Sequence, residues 1–336
     1  MERSRVGLVE PHGQARGPLH DAPCGANIPP TGPLKYSRPR QGGDGGVDGE
    51  TCRNVRQVLR EAEEALQQAG VVSARAEAEW LVAEACGLSR TELFLADSLP
   101  EPEILRRIDH WVLSRLTGEP LQHLIGYTDF CGHRLEVSRD VLIPRPETEA
   151  LVDEARNYLE ALTRRGIAPR VLDLGTGSGN IATSLSLAIP SCVVVAVELS
   201  WNALRTARAN LRRHQLGSRV LLIQADWTQG LLRKPAFDLV ISNPPYVPTS
   251  HVHGLPREVG YEPCLSLDGG CDGMAFHRRL IADAPALLRR DGVLCMECAE
   301  SQAEVLCQLA SRQSWVREVA IVNDLAGRPR GLWVAS

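Results

Sequence analysis

The sequence lacks the features that would place the protein in a membrane or on bare nucleic acid. No apolar run approaches the roughly 18 residues that a membrane-spanning helix needs, and the N-terminus has no hydrophobic signal-peptide core. The formal net charge of −4 provides no basic excess that would favour bare nucleic acid as the main partner. We therefore expect a cytoplasmic protein that binds no membrane and makes no direct contact with nucleic acid.

The sequence also lacks a metal-binding pattern of cysteines. Its 10 cysteines are scattered over 336 residues, which favours reduced thiols over a disulfide framework. The one Cys-x-x-Cys, formed by Cys295 and Cys298, lies in an apolar run. On a strand these two side chains would point to opposite faces, and no second pair completes a tetrahedral site. We expect no metal.

Hydrophobic periodicity is missing from the first 50 residues. Glycine and proline make up about a third of this stretch, a proportion that is typical of disorder. We interpret residues 1–50 as a disordered extension. A transit peptide or a mis-assigned start codon is the alternative interpretation, although several acidic residues count against a transit peptide.

From residue 51 to residue 126 the pattern changes to that of helices. Apolar residues recur at three- and four-residue steps and Gly70 follows as a stop signal; they are Val55, Val58, Leu59, Ala62 and Leu66. Ser89, with Glu92 three residues later, is typical of a capping box. This stretch predicts a small all-helical domain whose exposed faces recognise a substrate.

The remainder of the chain is predicted to be an α/β domain reached through a hairpin. Residues 127–145 alternate weakly around Cys131-Gly132, which is typical of a β-hairpin, and we interpret them as a linker. Pro146 marks the start of a helix. From 146 to 336 strands and helices alternate and the strands are continuously apolar, which predicts a parallel, doubly wound sheet.

A glycine loop follows the first strand of this sheet. Its sequence is Asp173-Leu174-Gly175-Thr176-Gly177-Ser178-Gly179-Asn180. The glycines let the backbone approach a ligand closely at a helix N-terminus. Asn180 stands where a dinucleotide fingerprint has its third glycine, which disfavours a pyrophosphate. Asp173 would repel a phosphate but suits a cationic amino-acid group.

Acidic residues also end the next two strands. Glu198 lies at the distance downstream at which an acid reaches ribose hydroxyls. Asp226 offers an acceptor for an adenine amino group, and Trp227 offers a ring that can stack on the base. The loop and the acids, in this order, indicate an adenosine with an amino-acid tail, S-adenosylmethionine.

A second motif, Asn243-Pro244-Pro245-Tyr246, directly follows the apolar run 237–242. Its prolines cannot continue a strand, so it should lie at the carboxyl end of one, where open α/β folds bind ligands. The Asn243 side-chain oxygen and the Pro244 carbonyl can each accept one hydrogen of a planar –NH2 group, while the Tyr246 ring packs on its plane. A tight turn without chemistry is the alternative for this motif taken alone.

With these motifs the chain resembles the class I S-adenosylmethionine-dependent methyltransferases, and within them the HemK/PrmC family. The resemblance spans residues of about 54 to 336 and implies a Rossmann-like domain behind a helical N-terminal domain. Besides the two motifs above, it includes the runs 118–123, 142–149, 226–227, 261–263 and 268–270. The run from Arg145 to Glu149 together with Asn243-Pro244-Pro245-Tyr246 is a specific combination.

The resemblance implies an activity and a set of residue roles. Members of the family methylate the side-chain amide nitrogen (N5) of the glutamine in the Gly-Gly-Gln loop of peptide-chain release factors. Asn243, Pro244 and Tyr246 would then be catalytic, Pro245 and Arg145 would join them in binding the substrate, and Asn243 would also border the cofactor. Glu198 stands where the family usually has aspartate. We expect a monomer.

Two other functions use the same residues. An adenine-N6 or guanine-N2 nucleic-acid methyltransferase would present an exocyclic amine to the same four residues, but would need a basic surface that the sequence does not clearly offer. A protein that binds the cofactor without turning it over is the third possibility, against which the intact Asn243-Pro244-Pro245-Tyr246 motif argues.

Overall fold

The computed structural model describes residues 53–229 and 234–336, so the expectation for residues 1–50 lies outside the described residues. The chain begins there with helices: α1 (Val55–Gln68), α2 (Ala74–Cys86), α3 (Arg90–Leu95), α4 (Pro102–Leu116) and α5 (Leu121–Ile125). The apolar stripe noted in the sequence is the buried face of α1. Ser89 and Glu92 form the expected capping box at the start of α3.

A two-stranded antiparallel hairpin, β1 (Tyr127–Phe130) and β2 (His133–Glu136), leads out of the helices. The elements that follow are α6 (Pro146–Arg164), β3 (Arg170–Leu174), α7 (Asn180–Ala188), β4 (Val193–Glu198), α8 (Trp201–Arg213), β5 (Val220–Gln224) and β6 (Phe237–Ser242). After them come α9 (Thr249–Val252), α10 (Ala275–Leu287), β7 (Leu288–Glu297), α11 (Ala303–Ser311), β8 (Glu318–Asn323) and β9 (Pro329–Ala335).

The described strands β3 to β9 form one sheet in the order β5-β4-β3-β6-β7-β9-β8. The first five strands in this order are parallel, as the alternation of strands and helices predicts. In the described sheet β9 alone runs in the opposite direction, because it pairs antiparallel with both β7 and β8. Residues 324–328 are too few for the crossover that parallel strands require, so β8 and β9 form a hairpin.

Apolar residues cover both faces of the sheet. Alternate strand residues point to opposite faces, so Val171 packs with Leu151 of α6 and Ile181 of α7, whereas Leu172 packs with Leu280 of α10 and Leu306 of α11. Cys295 and Cys298 likewise belong to different faces. The helices α1 to α4 enclose a third, separate core.

The state of the cysteines departs from expectation at one position. Seven cysteines of the described ranges have free thiols. Cys264 is disulfide-bonded, so the expectation of reduced thiols is wrong there. Within those same ranges no helix has the length and apolar character that crossing a membrane would take.

The helices contact the α/β part through the segment 249–262, which follows β6. Arg115, buried at the end of α4, forms ion pairs with Glu77 of α2 and with Glu258 of this segment. The Thr117 hydroxyl lies 2.9 Å from the Tyr261 hydroxyl. The helical region is thereby fixed to the loop that begins at Asn243, beside the carboxyl ends of the parallel strands.

Candidate active site

A cavity of about 1030 Å³, which includes space open to solvent, lies at the carboxyl ends of β3, β4, β5 and β6. Strand order reverses between β3 and β6, which is where open α/β sheets bind ligands. The walls of the cavity include the following predicted residues: Gly175, Thr176, Gly177, Ser178, Glu198, Trp227, Asn243 and Pro245. Asp173, Gly179 and Asp226, also predicted, do not line it.

The glycine loop bends over the end of β4. The backbone N–H groups of Gly175 and Thr176 both donate to the Val197 carbonyl, at 2.9 and 3.0 Å. Gly177 and Gly179 have φ values of +53° and +77°, a conformation that other residues rarely adopt. A Cβ on Gly179 would also lie 3.2 Å from the Ala207 side chain. The two glycines therefore allow the turn that leads into α7.

Glu198 fastens this loop to the end of its own strand. Its carboxylate accepts hydrogen bonds from the backbone N–H groups of Gly177 at 2.9 Å, Leu199 at 2.8 Å and Ser200 at 3.0 Å. Glu198 therefore supports the glycine loop and also lines the cavity.

Two predicted acids do not line the cavity. Asp173 is fully buried behind the loop, where its carboxylate accepts the Thr176 hydroxyl hydrogen at 2.5 Å. Burial raises the pKa of Asp173 to about 7. The Asp226 carboxylate instead pairs with Arg279 at 3.3 Å. Each carboxylate therefore bonds to a neighbouring side chain. Periodicity and spacing could not reveal these bonds, because they do not fix the direction of a side chain.

Trp227 and Phe276 form an aromatic wall. Their rings stack with centroids 4.6 Å apart and planes at 26°. Trp227 has φ +55°, which is strained for a bulky residue and is typical of functional sites. Phe276 was not predicted from the sequence, since it lies at the start of α10 and belongs to no recognisable motif. The stacked pair presents an apolar face to any planar ring in the cavity.

A hydrogen bond and close backbone contacts hold the loop after β6 in place. The Tyr246 carbonyl accepts a hydrogen bond from the Gln302 side chain at 2.9 Å. Two glycines approach this loop so closely that a Cβ on Gly269 would lie 2.7 Å from the Pro245 carbonyl oxygen, and one on Gly273 would lie closer still to that of Tyr246. The close approach explains the glycine at position 269 and holds Asn243-Pro244-Pro245-Tyr246 in one conformation.

Two acceptors of this loop have no hydrogen-bond donor in the part of the chain that the structure describes. The Asn243 Nδ2 donates to the Thr148 hydroxyl at 3.1 Å. Within the described residues, no donor bonds to the Asn243 Oδ1 or to the Pro244 carbonyl oxygen. Tyr246 stands behind them and donates its hydroxyl hydrogen to Glu297 at 3.3 Å. The loop therefore keeps the two acceptors that the sequence motif implied.

Arg145 joins the run 142–149 to the run 261–263. Its guanidinium donates to both carboxylate oxygens of the fully buried Glu262, at 2.8 and 2.7 Å. Glu262 also accepts the backbone N–H of Ile143 at 3.2 Å. The neighbours Pro144 and Pro263 line the cavity. This ion pair thus shapes the cavity wall opposite the glycine loop.

The molecule is a class I methyltransferase, as four features together indicate: the strand order of the sheet, the glycine loop, the acidic residue at the end of β4 and the loop after β6. This fold implies use of S-adenosylmethionine. Two family models match the chain, the PrmC N-terminal domain over residues 57–126 and the methyltransferase small domain over residues 149–255. The chain belongs to the release factor glutamine methyltransferase family.

Three relatives with that name support this membership. The one from Geobacter sulfurreducens is 41% identical, over 77% of this chain and 88% of its own. The one from Bordetella pertussis is 40% identical, over 76% and 93%. That from Rhodopirellula baltica is 36% identical, over 84% and 96%. The predicted family, fold class and enzyme class are confirmed, and the nucleic-acid methyltransferase alternative is disfavoured.

Proposed function

We propose that this protein transfers a methyl group from S-adenosylmethionine to the side-chain amide nitrogen (N5) of the glutamine in the Gly-Gly-Gln motif of peptide-chain release factors. The observation that supports the proposal is a pair of acceptors, the Asn243 Oδ1 and the Pro244 carbonyl, which have no donor among the described residues and lie beside the cavity of the glycine loop. Two fixed acceptors match the two hydrogens of a primary amide.

The residues of the cavity fit S-adenosylmethionine. The glycine loop would receive the amino-acid tail, Glu198 would accept hydrogens of the ribose hydroxyls, and Trp227 with Phe276 would cover one face of the adenine. Asp173 would act indirectly, through Thr176, and Asp226 through its position next to Trp227. When bound, the cofactor supplies a methyl group on a positively charged sulfur.

The loop after β6 addresses the weak nucleophilicity of an amide. The lone pair of an amide nitrogen is delocalised into the carbonyl, so orientation rather than basicity is what the protein must supply. Asn243 and Pro244 would hold both amide hydrogens and so aim the nitrogen at the methyl group, while Tyr246 and Pro245 would pack around the amide. The mechanism requires no carboxylate base at the reacting atom, so catalysis is positioning by fixed dipoles.

The other residues and regions have separate tasks in this proposal. Arg145 would shape the substrate entrance through its ion pair with Glu262. Residues 51–126 would dock the release factor, residues 127–145 would link the two domains, and residues 146–336 would perform the transfer. The protein would act as a cytoplasmic monomer. Deleting 51–126 should then raise KM for a whole release factor and leave KM for a Gly-Gly-Gln peptide unchanged. An unchanged KM for the whole factor would contradict this division.

The direct test uses a radiolabelled cofactor methyl group. Purified protein should label an intact release factor and leave unlabelled a factor whose motif glutamine is replaced by alanine. Duplex DNA and a structured RNA serve as the comparison substrates. Labelling of either nucleic acid in preference to the release factor would overturn the proposal.

A further inference from the structure

A buried chain of hydrogen bonds lies directly behind Asn243. The Asn243 Nδ2 donates to the Thr148 Oγ1 at 3.1 Å, and the Thr148 hydroxyl donates to the Glu297 Oε2 at 2.6 Å. The Tyr246 hydroxyl donates to the other oxygen of Glu297 at 3.3 Å. Thr148 is fully buried and Glu297 nearly so. One carboxyl group therefore supports both polar side chains of the loop after β6.

Three separate elements bring these residues together. Thr148 lies in the first turn of α6, Asn243 follows β6 and Glu297 is the last residue of β7. In the parallel pair β6–β7, Ser242 stands opposite Met296, so Asn243 and Glu297 are neighbours just past the end of that ladder. The start of α6 places the Thr148 hydroxyl between them. The arrangement depends on the packed fold rather than on a flexible loop.

The chain of hydrogen bonds has a direction, because a hydroxyl has one hydrogen. Thr148 donates that hydrogen to Glu297, so its oxygen presents only lone pairs to Asn243. Only the –NH2 end of the Asn243 amide can then bond to it, which turns the Oδ1 toward the cavity. The two ends of an asparagine amide have nearly the same shape, so packing alone does not distinguish them.

We propose that Thr148 and Glu297 are positioning residues that decide which end of the Asn243 amide faces the substrate. This inference rests on the proposed function, because it explains how an acceptor, rather than a donor, is offered to a substrate –NH2 group. A reversed Asn243 would present its own –NH2 group to that of the substrate. Thr148 and Glu297 thereby select for a hydrogen-donating target.

The protonation state of Glu297 bears on the direction of this chain. Thr148 and Tyr246 are its hydrogen-bond partners, and Glu147 and Arg330 are the charged groups that face it. Burial raises its pKa to about 7. The ionised carboxylate can only accept, which fixes the direction of the chain, and the neutral group keeps that direction when its hydrogen is on Oε1, the oxygen beside Tyr246.

The first test compares Thr148→Val with Thr148→Ser. Valine keeps the shape and removes the hydroxyl, so kcat on a release factor should fall roughly tenfold, the equivalent of one lost hydrogen bond. Serine keeps the hydroxyl and should restore kcat to within about twofold of the parent. The Kd for the cofactor should not change in either variant, since Thr148 does not line the cavity.

Thr163→Val is a control at an exposed threonine of the same helix. Thr163 lies in the same helix, and its hydroxyl donates to the Leu159 carbonyl at 2.9 Å, away from the site. This variant should keep parental kcat. If Thr163→Val lost as much activity as Thr148→Val, hydroxyl loss in α6 would act through stability and the inference would be wrong.

A double-mutant cycle separates positioning from a general structural effect. If Thr148 acts through the Asn243 amide, adding Thr148→Val to Asn243→Ala should cause no further loss of kcat. Losses that multiply would overturn the inference. Should Thr148→Val give no melting transition, Thr148→Ala removes the same hydroxyl without packing a second methyl group, and the cycle is run with it.

A readout without substrate keeps this test independent of the proposed function. In protein labelled with 15N-asparagine, the Nδ2 resonances of Asn243 are identified by their loss in Asn243→Ala. Their hydrogens should exchange slowly with solvent in the parent and at least tenfold faster in Thr148→Val, with Thr148→Ser resembling the parent. Equal exchange in parent and Thr148→Val would refute the inference. Failure to methylate a release factor would refute the proposed function alone.

Discussion

Asn243→Ala isolates the acceptor on which the proposed chemistry depends. The substitution removes one of two preorganised polar groups, an effect of about 10²–10³ in kcat, or roughly 3–4 kcal/mol, in other enzymes. The structural cost should be much smaller. Thr148 keeps its hydrogen bond to Glu297, so only the 3.1 Å bond from the Asn243 Nδ2 is lost. One net hydrogen bond is worth about 1 kcal/mol.

These two magnitudes separate catalysis from folding in one series of measurements. We expect the melting temperature to fall by about 2–4 °C, the shift that 1 kcal/mol causes in a domain of this size. Steady-state methylation of a release factor should show the loss in kcat. Calorimetry should show cofactor affinity close to that of the parent, because the glycine loop, Glu198 and the aromatic wall are untouched.

Asn243→Asp supplies the matched comparison. Aspartate keeps an acceptor but places a negative charge beside the cofactor's positive sulfur, whose charge disappears as the methyl group leaves. The charge therefore stabilises the ground state more than the transition state, so kcat should fall while cofactor binding is preserved or tightened. If Asn243→Ala methylated the release factor at the parental rate, the role given to the loop after β6 would be wrong.

Three further predictions concern the cofactor site and the buried carboxyl group. Gly177→Val places a β-branched residue at φ +53° and should abolish cofactor binding in calorimetry, whereas Glu198→Ala should weaken it by one to about 3 kcal/mol, since both ribose contacts and loop support are lost. Undiminished affinity in both variants would exclude this site. Phe276→Ala should reduce cofactor affinity by about 0.5–1.5 kcal/mol through loss of the stacking partner of Trp227, and equal affinity would show that the wall is only structural. Burial raises the pKa of Glu297 from 4.5 to about 7, so the folded state binds this proton more tightly than the unfolded state, and the resulting stability is lost as pH rises from about 4.5 to about 7. Relative to the parent, Glu297→Gln should therefore gain up to about 3 kcal/mol of stability across that window in denaturant titrations, and a pH-independent difference would contradict the raised pKa.

Local signals predicted the elements, because helix stripes, caps and apolar strands are set by neighbours in the sequence. The capping box of Ser89 and the start of α6 at Pro146 appear where the sequence places them. Strand pairing is not local in this way. β9 lies between β7 and β8 because its connection to β8 is short and because of the sheet edge that it can reach. Residue periodicity reveals neither of these causes.

The site was predictable where one motif supplies the residues and unpredictable where the fold assembles them. The glycine loop, Glu198, Trp227 and Asn243 reach the cavity. Thr148 and Glu297, in contrast, are 149 positions apart in the sequence and meet only after α6 and β7 pack against β6. In the sequence, a buried acid such as Glu297 cannot be distinguished from an ordinary polar residue at the end of a strand, because its neighbours are not known.

The segment 249–262 has a consequence for recombining this enzyme with its relatives. It begins within a few residues of Tyr246, yet Glu258 pairs with Arg115 of the helical region and Tyr261 contacts Thr117. The border between the two halves of the molecule therefore does not coincide with a single cut in the chain. A chimera that exchanges residues 51–126 alone would mismatch these contacts. A chimera that also exchanges residues 249–262 would transfer the helical region together with the segment that it contacts.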